Sequence, residues 1–479
     1  MFRTLPPARF DQNMLEDLAA AMTAPAEDAP TPETEQDDEE NVGTPGNPGI
    51  AAGYTYLGQF IDHDLTFDPA SSLERQNDPD GLVDYRTPRF DLDNVYGRGP
   101  DDQPYLYRDD GRTMLLGHKL DGNPDDPNAR GLPRGTPEPN SGEPARALIG
   151  DPRNDENVIV SQLQASMLRF HNRMANVLGT SAGFEQIQRM VRWHYQWVVL
   201  HDFLPTIIGQ PMVDAILGQV KEGGTATEKP PQLKFYKVEK DAFMPIEFSV
   251  AAYRFGHSMI RPIYRLNQTI DRLMIFGKGD QNLRGFRDFP SNWAIDWRLF
   301  FPTPGAPALG PQRVQPAYKI DTSLVNPLGD LPPQVAANPS SLPLRNLLRG
   351  WRMQLPSGQD VARAMGLTPI ADKDLKVGKA TEEFAQKNRS IVEISPRFAD
   401  NAPLWFYILS EAQQAFKDNT TAIRLGPVGG RIVGEVFVGL MLSDSHSYLR
   451  QNPNFKPIPD LTTNGAFKMA DLLRQAKQN

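Results

Sequence analysis

Two long stretches with helical spacing of apolar residues constrain the fold of this chain most strongly. In Glu156–Leu178 the apolar residues recur every three or four positions, as on the buried face of a helix. Phe184–Ile208 continues the same pattern. Five shorter segments favour helices on the same grounds: Gly53–Phe67, Phe248–Ile263, Gln359–Met365, Leu404–Phe416 and Val428–Leu442. Strand signals are few and short, so the sequence predicts a mainly α-helical protein with little β-structure.

Long irregular connections separate these predicted helices. The 479 residues include 38 glycines and 44 prolines, and stretches rich in them run from Pro25 to Pro48, Arg108 to Asp155 and Pro302 to Pro343. Loops this long in a compact body usually build a site rather than separate bodies. We therefore expect one large helical domain over residues 51–450. A partly irregular N-terminal arm (1–50) precedes it, and a C-terminal extension (451–479) packs on the domain or trails from it.

Composition excludes several classes of function. The chain has no cysteine, which rules out disulfides, zinc–thiolate sites, iron–sulfur clusters and thiolate-ligated haem. A net charge of −9 argues against nucleic acid as a partner. No apolar run approaches the roughly 20 residues of a membrane span, and the N-terminus lacks the pattern of a secretory signal. The expected location is the cytoplasm, or outside the cell after export by a leaderless route.

The first chemically suggestive motif, GQFIDHDLT, covers residues 58–66. On a helix, Gln59, Asp62 and His63 share one face because they are three or four positions apart. Asp64 points roughly 100° further round the helix and must face something else. A solvated polar patch at a helix end is one explanation. A non-haem iron site with histidine and carboxylate ligands is another, but the sequence offers no identifiable second histidine for it.

The second motif, AAYRFGHSMI, covers residues 251–260 and places Arg254 and His257 three positions apart on an apolar helix. A lone histidine on such a face is often an ordinary core residue. Here Gly256 thins the helix surface beside it, as the close approach of a flat ligand requires, and the arginine needs an anion. A haem supplies both an iron for the histidine and propionates for the arginine.

The third motif, GDPRNDEN, covers residues 150–157 at the start of the longest predicted helix. Its carboxylates suit an ordinary capped N-terminal turn. Arg153 does not suit that turn, because a cation is disfavoured at the positive end of a helix unless an oxygen ligand needs it.

Together the three motifs resemble those of the animal-type haem peroxidases, the peroxidase–cyclooxygenase superfamily, in its bacterial branch. The resemblance runs from about Tyr54 to about Leu449, and the motifs stand in family order. The stretches LPLRN (342–346) and GPVGGR (426–431) also look like family blocks. The resemblance implies a single large helical haem-peroxidase domain with haem b as its cofactor.

For the distal side of the haem, the resemblance implies three roles. His63 is the base, Gln59 holds a water or halide over the iron, and Arg153 is the distal arginine. A histidine can take a proton from one peroxide oxygen and return it to the other. A permanently charged arginine stabilises the negative charge that develops as the O–O bond breaks.

For the proximal side, the resemblance implies that His257 ligates the haem iron. Asn346 matches the asparagine that hydrogen-bonds the other ring nitrogen and so fixes the tautomer. Arg254 and Arg349 stand where the family pairs arginines with haem propionates. Arg349 lies in a stretch crowded with arginines, any of which could be a surface charge.

Two carboxylates match positions that become ester-linked to haem methyl groups in the family, namely Asp62 and Glu156. The residue after the glutamate is Asn157, so the methionine that forms a further link in one family member is missing. Gln164 stands where the family often has histidine, and we expect this difference to affect helix packing rather than the haem.

The resemblance implies a role for Asp64 as a ligand of the family's calcium site. The loop RTPRFDLDNVYG (86–97) matches the family loop in spacing and supplies Thr87, Arg89, Asp91 and Asp93, with Arg89 offering only its carbonyl. Hard oxygen ligands of this kind suit Ca²⁺. An acidic turn before a short helix is the plainer explanation.

The resemblance implies a haem peroxidase that reduces H₂O₂ and oxidises small aromatic donors or halide ions through a ferryl intermediate, for example in a response to oxidative stress. One alternative is a fatty-acid dioxygenase of the same fold. In those relatives a tyrosine three residues before the proximal histidine carries a radical, whereas this chain has Arg254 there and Tyr253 one position earlier. The other alternative is a non-catalytic haem- or calcium-binding interaction module.

Overall fold

The computed structural model describes residues 1–25, 49–66, 87–137, 144–222, 225–228, 230–238, 241–277, 279–307, 312–333, 335–336, 338–381, 384–417 and 422–478. The prediction of a mainly helical protein is confirmed. The α-helices of seven or more residues are Gln12–Met22, Gly53–Leu65, Val158–Leu178, Phe184–Val198, Gln210–Leu217, Leu342–Arg352, Gly358–Ala364, Leu404–Gln413, Pro427–Ser443 and Met469–Ala476.

Shorter helical pieces and three hairpins fill the connections. The short α-helices are Asp93–Tyr96, Leu204–Ile208, Phe384–Lys387, Ile391–Ile394 and Tyr448–Gln451. The 3₁₀ turns are Pro104–Leu106, Pro152–Asp155, Ala252–His257, Ser291–Trp293, Trp297–Leu299, Asn326–Leu328, Asp372–Asp374, Pro396–Phe398 and Pro459–Leu461. The strands pair antiparallel as Gln219–Glu222 with Thr225–Glu228, Ile263–Tyr264 with Leu273–Met274, and Lys376–Val377 with Arg389–Ser390.

One continuous apolar core runs through the described residues, from Phe2 near the N-terminus to Ala476 near the C-terminus. The helix Val158–Leu178 lies at its centre, and its first fifteen residues are all buried. Gly53–Leu65 packs against this helix and against the 3₁₀ turn Ala252–His257. Because these elements bring two of the sequence motifs to one place, they position the candidate site.

The predicted helix Phe248–Ile263 is wrong. The segment instead forms a π-helical turn, Glu247–Ala251, followed by the 3₁₀ turn Ala252–His257. At Ala251 the backbone leaves the helical region, with φ −127° and ψ −69°. Pro262 also disfavours helix at the residue before it, and Ile263 pairs as a strand.

The predicted helix Phe184–Ile208 is interrupted by a π-helical turn at Val199–Phe203. Pro205 explains the interruption, because it has no N–H to donate to the carbonyl four residues earlier. The amide of Leu204 donates to the carbonyl of Val199 instead, which widens the turn by one residue. The chain then resumes an α-helix to Ile208.

Both ends of the chain contribute helices to the packed body. Gln12–Met22 packs against Leu342–Arg352, and Met469–Ala476 packs against Val158–Leu178. Of these four helices, the sequence pattern predicted only Val158–Leu178 and missed the other three. The domain boundaries at residues 50 and 450 stay a prediction.

Some sequence expectations fall outside the described residues. These are most of the irregular stretch Pro25–Pro48, the end of the predicted helix at Phe67, Arg86 at the start of the acidic loop, and residues 138–143. Among the residues that the structure does describe, no helix is both long and apolar enough to cross a bilayer.

Candidate active site

A cavity of about 790 Å³ lies between the helix Gly53–Leu65 and the 3₁₀ turn Ala252–His257. Cavities that bind cofactors and small molecules commonly measure about 300–1,000 Å³. One wall carries polar side chains from the first and third motifs: Gln59, Asp62, His63, Glu156 and Asn157. A second wall, formed by the 3₁₀ turn Ala252–His257, carries Arg254, Gly256 and His257 from the second motif. The cavity therefore brings together residues that lie about 200 positions apart in the chain.

Helical geometry explains the first wall. Gln59, Asp62 and His63 line the cavity together, as their spacing of three and four positions requires. Asp64 is fully buried and faces away from the cavity, toward two other aspartates. The same helix thus directs His63 into the cavity and the next residue, Asp64, toward Asp91 and Asp93.

The side chain of His63 is held on both sides. Its Nδ1 lies 2.7 Å from Oδ1 of Asn154, and its Nε2 lies 3.7 Å from Oε1 of Glu156. Gln59 is also oriented, because it donates to Glu156 and its Oε1 accepts a hydrogen bond of 3.0 Å from Asn157. Burial raises the pKa of the Glu156 carboxyl, and the nearby His63 and Arg153 oppose that rise.

Arg153 does not line the cavity in this structure. Its guanidinium forms an ion pair of 2.8 Å with the buried carboxylate of Asp151 and donates to the carbonyls of His63 and Thr66. These carbonyls are at the C-terminal end of the helix Gly53–Leu65, where backbone acceptors lack partners within the helix. Arg153 therefore holds the end of the helix that carries His63, and its charge acts on the cavity from behind the first wall.

On the second wall, the structure places the side chain of Asn346 against His257. Nδ2 of Asn346 lies 2.8 Å from Nδ1 of His257, and its Oδ1 lies 3.5 Å from Nη1 of Arg254. Burial, with a smaller effect from Arg254, lowers the pKa of His257 to about 3, so its imidazole is neutral. Binding of a metal through Nε2 needs a proton on Nδ1, and the Asn346 amide must then present its oxygen to that nitrogen.

Arginines concentrate positive charge behind the second wall. Arg254 donates to the carbonyl of Ser249, and burial followed by repulsion from Arg349 lowers the pKa of Arg254 to about 10. Burial and Arg349 also lower the pKa of Arg345. Three guanidiniums this close together favour an anion in the cavity beside Arg254. Arg349 itself is half-buried and lies outside the cavity wall.

The carboxylates of Asp64, Asp91 and Asp93 converge, with one oxygen of each within 4.8 Å of the others. Asp64 comes from the end of the helix Gly53–Leu65, and the other two flank Leu92, whose positive φ of 58° turns the loop. Burial raises the pKa of Asp91, and the nearby Arg192 opposes that rise.

Thr87 and Arg89, which the family resemblance adds to this cluster, belong to the same loop as Asp91 and Asp93. Thr87 is exposed, and its carbonyl accepts a 2.7 Å hydrogen bond from the amide of Arg89. The cation of Arg89 is near enough to lower the pKa of Asp91.

Sequence reasoning missed two residues that hold His63. Oδ1 of Asn154 lies 2.7 Å from Nδ1 of His63, and the Asn154 amide donates to Gln164, which in turn donates to the backbone carbonyl of Asn94. The expectation that this position concerns helix packing rather than the haem stays a prediction, and the structure adds that the Gln164 amide hydrogen-bonds Asn154 behind His63. A usable signal existed: Gln164 shares a helix face with the apolar Val160, Met167 and Leu168, so a polar side chain there needs a buried partner.

The chain is similar to known proteins over much of its length. Residues 71–287 match the model of the animal haem peroxidase family. Human thyroid peroxidase is 26% identical over 313 residues, which are 62% of this chain and 30% of that protein. The human probable oxidoreductase PXDNL is 26% identical over 215 residues, 39% of this chain and 14% of that protein. The chain thus spans less than a third of the length of these curated relatives.

Solved structures share the fold at low sequence identity. Peroxidase A from Dictyostelium discoideum superposes with a TM-score of 0.56 at 15% identity, covering 99% of this chain and 92% of that one. A fatty acid alpha-dioxygenase from Arabidopsis thaliana superposes with a TM-score of 0.54 at 14% identity, and the superposition covers 99% of this chain and 74% of that one. Both enzyme types therefore have this fold, and the assignment to a bacterial branch stays a prediction. Over residues 71–287 the family model matches this chain to the animal haem peroxidases, and the peroxidase relatives and the shared fold agree with that match.

Proposed function

We propose that this chain is a haem peroxidase that reduces H₂O₂ and oxidises small aromatic donors or halide ions. The observation that carries the proposal is the pair of histidines that line one cavity from two different elements, the helix Gly53–Leu65 and the 3₁₀ turn Ala252–His257. His63 and His257 both line it, and each has its Nδ1 at hydrogen-bond distance from a buried asparagine. One histidine can thus serve as a ligand while the other serves as a base.

The residues present fit a haem. The cavity is open above Gly256, where an added Cβ would meet nothing within 4 Å, so a flat ring can approach the backbone beside His257. His257 is neutral, which is the form that binds iron. Arg254, with Arg349 behind it, offers charge for propionates. When bound, a haem supplies a redox-active iron that takes oxidising equivalents from peroxide and passes them to a donor.

The chain's own residues handle the proton. Nε2 of His63 faces the cavity and can take the proton of an incoming peroxide, then return it to the departing oxygen as water forms. Gln59, oriented by Glu156 and Asn157, offers its amide to a small molecule beside that nitrogen. Arg153 stabilises developing negative charge from behind the wall and fixes the helix end that carries His63.

The ester links between haem b and the chain belong to the same proposal. Asp62 and Glu156 both line the cavity, so each can present a carboxylate to the edge of a ring. Burial raises the pKa of Glu156, and the nearby His63 and Arg153 oppose that rise. Asn157 in the next position cannot form a sulfonium link.

We also propose that Asp64, Asp91 and Asp93 bind Ca²⁺, together with oxygens of Thr87 and Arg89. The convergence of three carboxylates within 4.8 Å supports a cation there. Calcium takes six to eight oxygen ligands, so the carbonyl and hydroxyl groups of the loop would complete the set.

The test of the peroxidase proposal is a spectrum of the purified protein before and after one equivalent of H₂O₂, followed by turnover with guaiacol and with iodide. We expect a Soret band that changes on peroxide addition, and oxidation of at least one donor. His257→Ala should lose the ligated-haem spectrum, and His63→Gln should keep it but react slowly. The exposed His118, changed to Gln, is the matched control and should behave like the parent. A parent protein that has no Soret band after supplementation with haem would refute the proposal.

A fatty-acid dioxygenase is the second candidate, because Tyr253 lines the cavity with its hydroxyl 3.2 Å from the carbonyl of Gly58. Arg254 occupies the position of the radical tyrosine in such enzymes, and an arginine cannot carry that radical. We therefore expect negligible oxygen uptake with palmitic or linoleic acid on an oxygen electrode. Rapid stoichiometric uptake that Tyr253→Phe abolishes would favour the dioxygenase. A haem spectrum with no turnover of either kind would favour a non-catalytic binding module.

A further inference from the structure

A series of side-chain amides lies behind His63, away from the cavity. Nδ1 of His63 is 2.7 Å from Oδ1 of Asn154, whose Nδ2 is 2.9 Å from Oε1 of Gln164. Nε2 of Gln164 is 3.2 Å from the backbone carbonyl of Asn94. Asn154, Gln164 and Asn94 are all fully buried, so water does not compete for these hydrogen bonds.

The backbone carbonyl at the end of the series fixes the direction of every hydrogen bond in it. A carbonyl only accepts, and that of Asn94 accepts from Gln164 and from the amide of Asp151. Gln164 therefore presents its nitrogen to Asn94 and its oxygen to Asn154. By the same reasoning Asn154 presents its nitrogen to Gln164 and its oxygen to His63, so Nδ1 of His63 must donate.

This direction has a consequence for the other ring nitrogen. A neutral imidazole carries one proton, so a proton held on Nδ1 leaves Nε2 of His63 as an acceptor facing the cavity. We propose that Asn154 and Gln164 are positioning residues that hold His63 in the tautomer able to accept a proton at Nε2. The value of that tautomer for peroxide reduction rests on the proposed function, whereas the tautomer itself does not.

A second acceptor, the carboxylate of Glu156, lies on the other side of His63, so the hydrogen bonds behind His63 are needed to keep the proton on Nδ1. Oε1 of Glu156 lies 3.7 Å from Nε2 of His63, and a carboxylate there favours a proton on Nε2. With the proton on Nε2, His63 could not accept another one from a neutral molecule in the cavity. Oδ1 of Asn154 at 2.7 Å is within hydrogen-bond distance of Nδ1, whereas the Glu156 oxygen at 3.7 Å is too far from Nε2 for a hydrogen bond, so the contact with Asn154 decides the tautomer.

Four variants separate the parts of the series. Asn154→Leu removes the acceptor at Nδ1, while Asn154→Asp keeps an acceptor for His63 and loses only the donor to Gln164. Gln164→Leu frees the amide of Asn154 to rotate. Gln164→His can donate to Asn94 and accept from Asn154, so it should rescue. Gln162→Leu, which removes a buried amide from the same helix but outside the series, is the matched control.

The first measurement is ¹⁵N NMR of the full chain labelled at the histidine rings, as purified and in the diamagnetic ferrous carbon monoxide form. The His63 signals are assigned by their loss in His63→Gln. We expect a protonated Nδ1 and an unprotonated Nε2 in the parent, Asn154→Asp, Gln164→His and Gln162→Leu. Asn154→Leu should shift the proton toward Nε2, and Gln164→Leu should do so in part.

The second measurement is the bimolecular rate of reaction with H₂O₂ and the affinity of the ferric protein for cyanide, whose acid must give up its proton to bind. Asn154→Leu should slow the peroxide reaction about 100-fold and weaken cyanide binding, with KM for the aromatic donor unchanged. An Nε2-protonated His63 in the parent overturns the proposal. So does Asn154→Leu with the parent's tautomer, or, if that variant does not fold, Asn154→Asp with an Nε2-protonated His63. Failure of haem binding or turnover in the parent would instead refute the proposed function and leave the NMR result to decide the tautomer.

Discussion

Removal of calcium from the proposed site should destabilise this protein by an amount that mass action sets, and repulsion within the acidic cluster gives the physical reason. The carboxylates of Asp64, Asp91 and Asp93 lie within 4.8 Å of one another. At that distance and an effective dielectric constant of about 20, each charged pair repels by about 3.5 kcal/mol. Arg192 and Arg89 relieve part of this repulsion at Asp91, and a divalent cation would relieve the rest.

The stabilisation by the ion follows from mass action. Free calcium at about 100 times its dissociation constant contributes about 2.7 kcal/mol to the free energy of unfolding. Unfolding entropy is about 2.1 cal/mol/K per residue, hence on the order of 1 kcal/mol/K for 479 residues. Chelation should therefore lower Tm by about 3 °C. Because Asp64 follows His63 directly, the ferric haem spectrum should change as well.

Thermal unfolding by circular dichroism, with and without chelator, measures this effect. The parent should lose its calcium-dependent Tm increment on chelation, and Asp93→Asn should have a smaller increment. Asp102→Asn, an exposed aspartate of the neighbouring loop, is the matched control and should respond like the parent. Chelation verified by elemental analysis that leaves both Tm and spectrum unchanged would contradict the site, as would Asp64→Asn with an undiminished response to calcium.

Three further predictions concern other buried or cavity-lining groups. Burial raises the pKa of Glu411 to about 7, above its unfolded value, so the stability it contributes is complete below about pH 4.5 and lost as pH rises through about 7. The total is about 3 kcal/mol, and Glu411→Gln should flatten the decline of Tm from pH 5 to pH 8; an unchanged slope would contradict the assignment. For the ester links, acid–organic extraction should release less haem after peroxide treatment than before, and Glu156→Gln should release more than the parent; equal release from both would show that the carboxylates act only through their charge. Phe286 lines the cavity, is 53% exposed and has a positive φ of 54°, so Phe286→Ala should raise KM for bulky aromatic donors and leave iodide oxidation unchanged, which steady-state kinetics with both donors would test.

The sequence predicted features that depend on local periodicity. The spacing of Gln59, Asp62 and His63 places them on one wall because helical geometry is the same wherever the helix sits. The long helix at 158–178 was predictable for the same reason. The π-helical and 3₁₀ turns before His257 were not, because apolar spacing alone does not distinguish them from an α-helix.

Contacts between distant segments account for the remaining differences. Asn154 looks like part of a helix cap in the sequence, and its partner His63 is 91 positions away. The side chain of Arg153 donates to the carbonyls of His63 and Thr66 at the end of another helix. No local sequence pattern predicts these acceptors, because they lie about 90 positions away. The acidic cluster joins Asp64 to residues 91 and 93, which only a resemblance to a known loop could pair.

The adjacency of His63 and Asp64 on one helix limits how this protein can change. A single-residue insertion or deletion in Gly53–Leu65 would rotate everything beyond it by roughly 100°. His63 would leave the cavity and Asp64 would leave the acidic cluster in the same event. Only substitutions that preserve the register of this helix can alter one cluster and keep the other. Changes intended to alter the cavity or the acidic cluster should therefore begin in the loops, because a change of loop length leaves the positions of His63 and Asp64 around their helix unchanged.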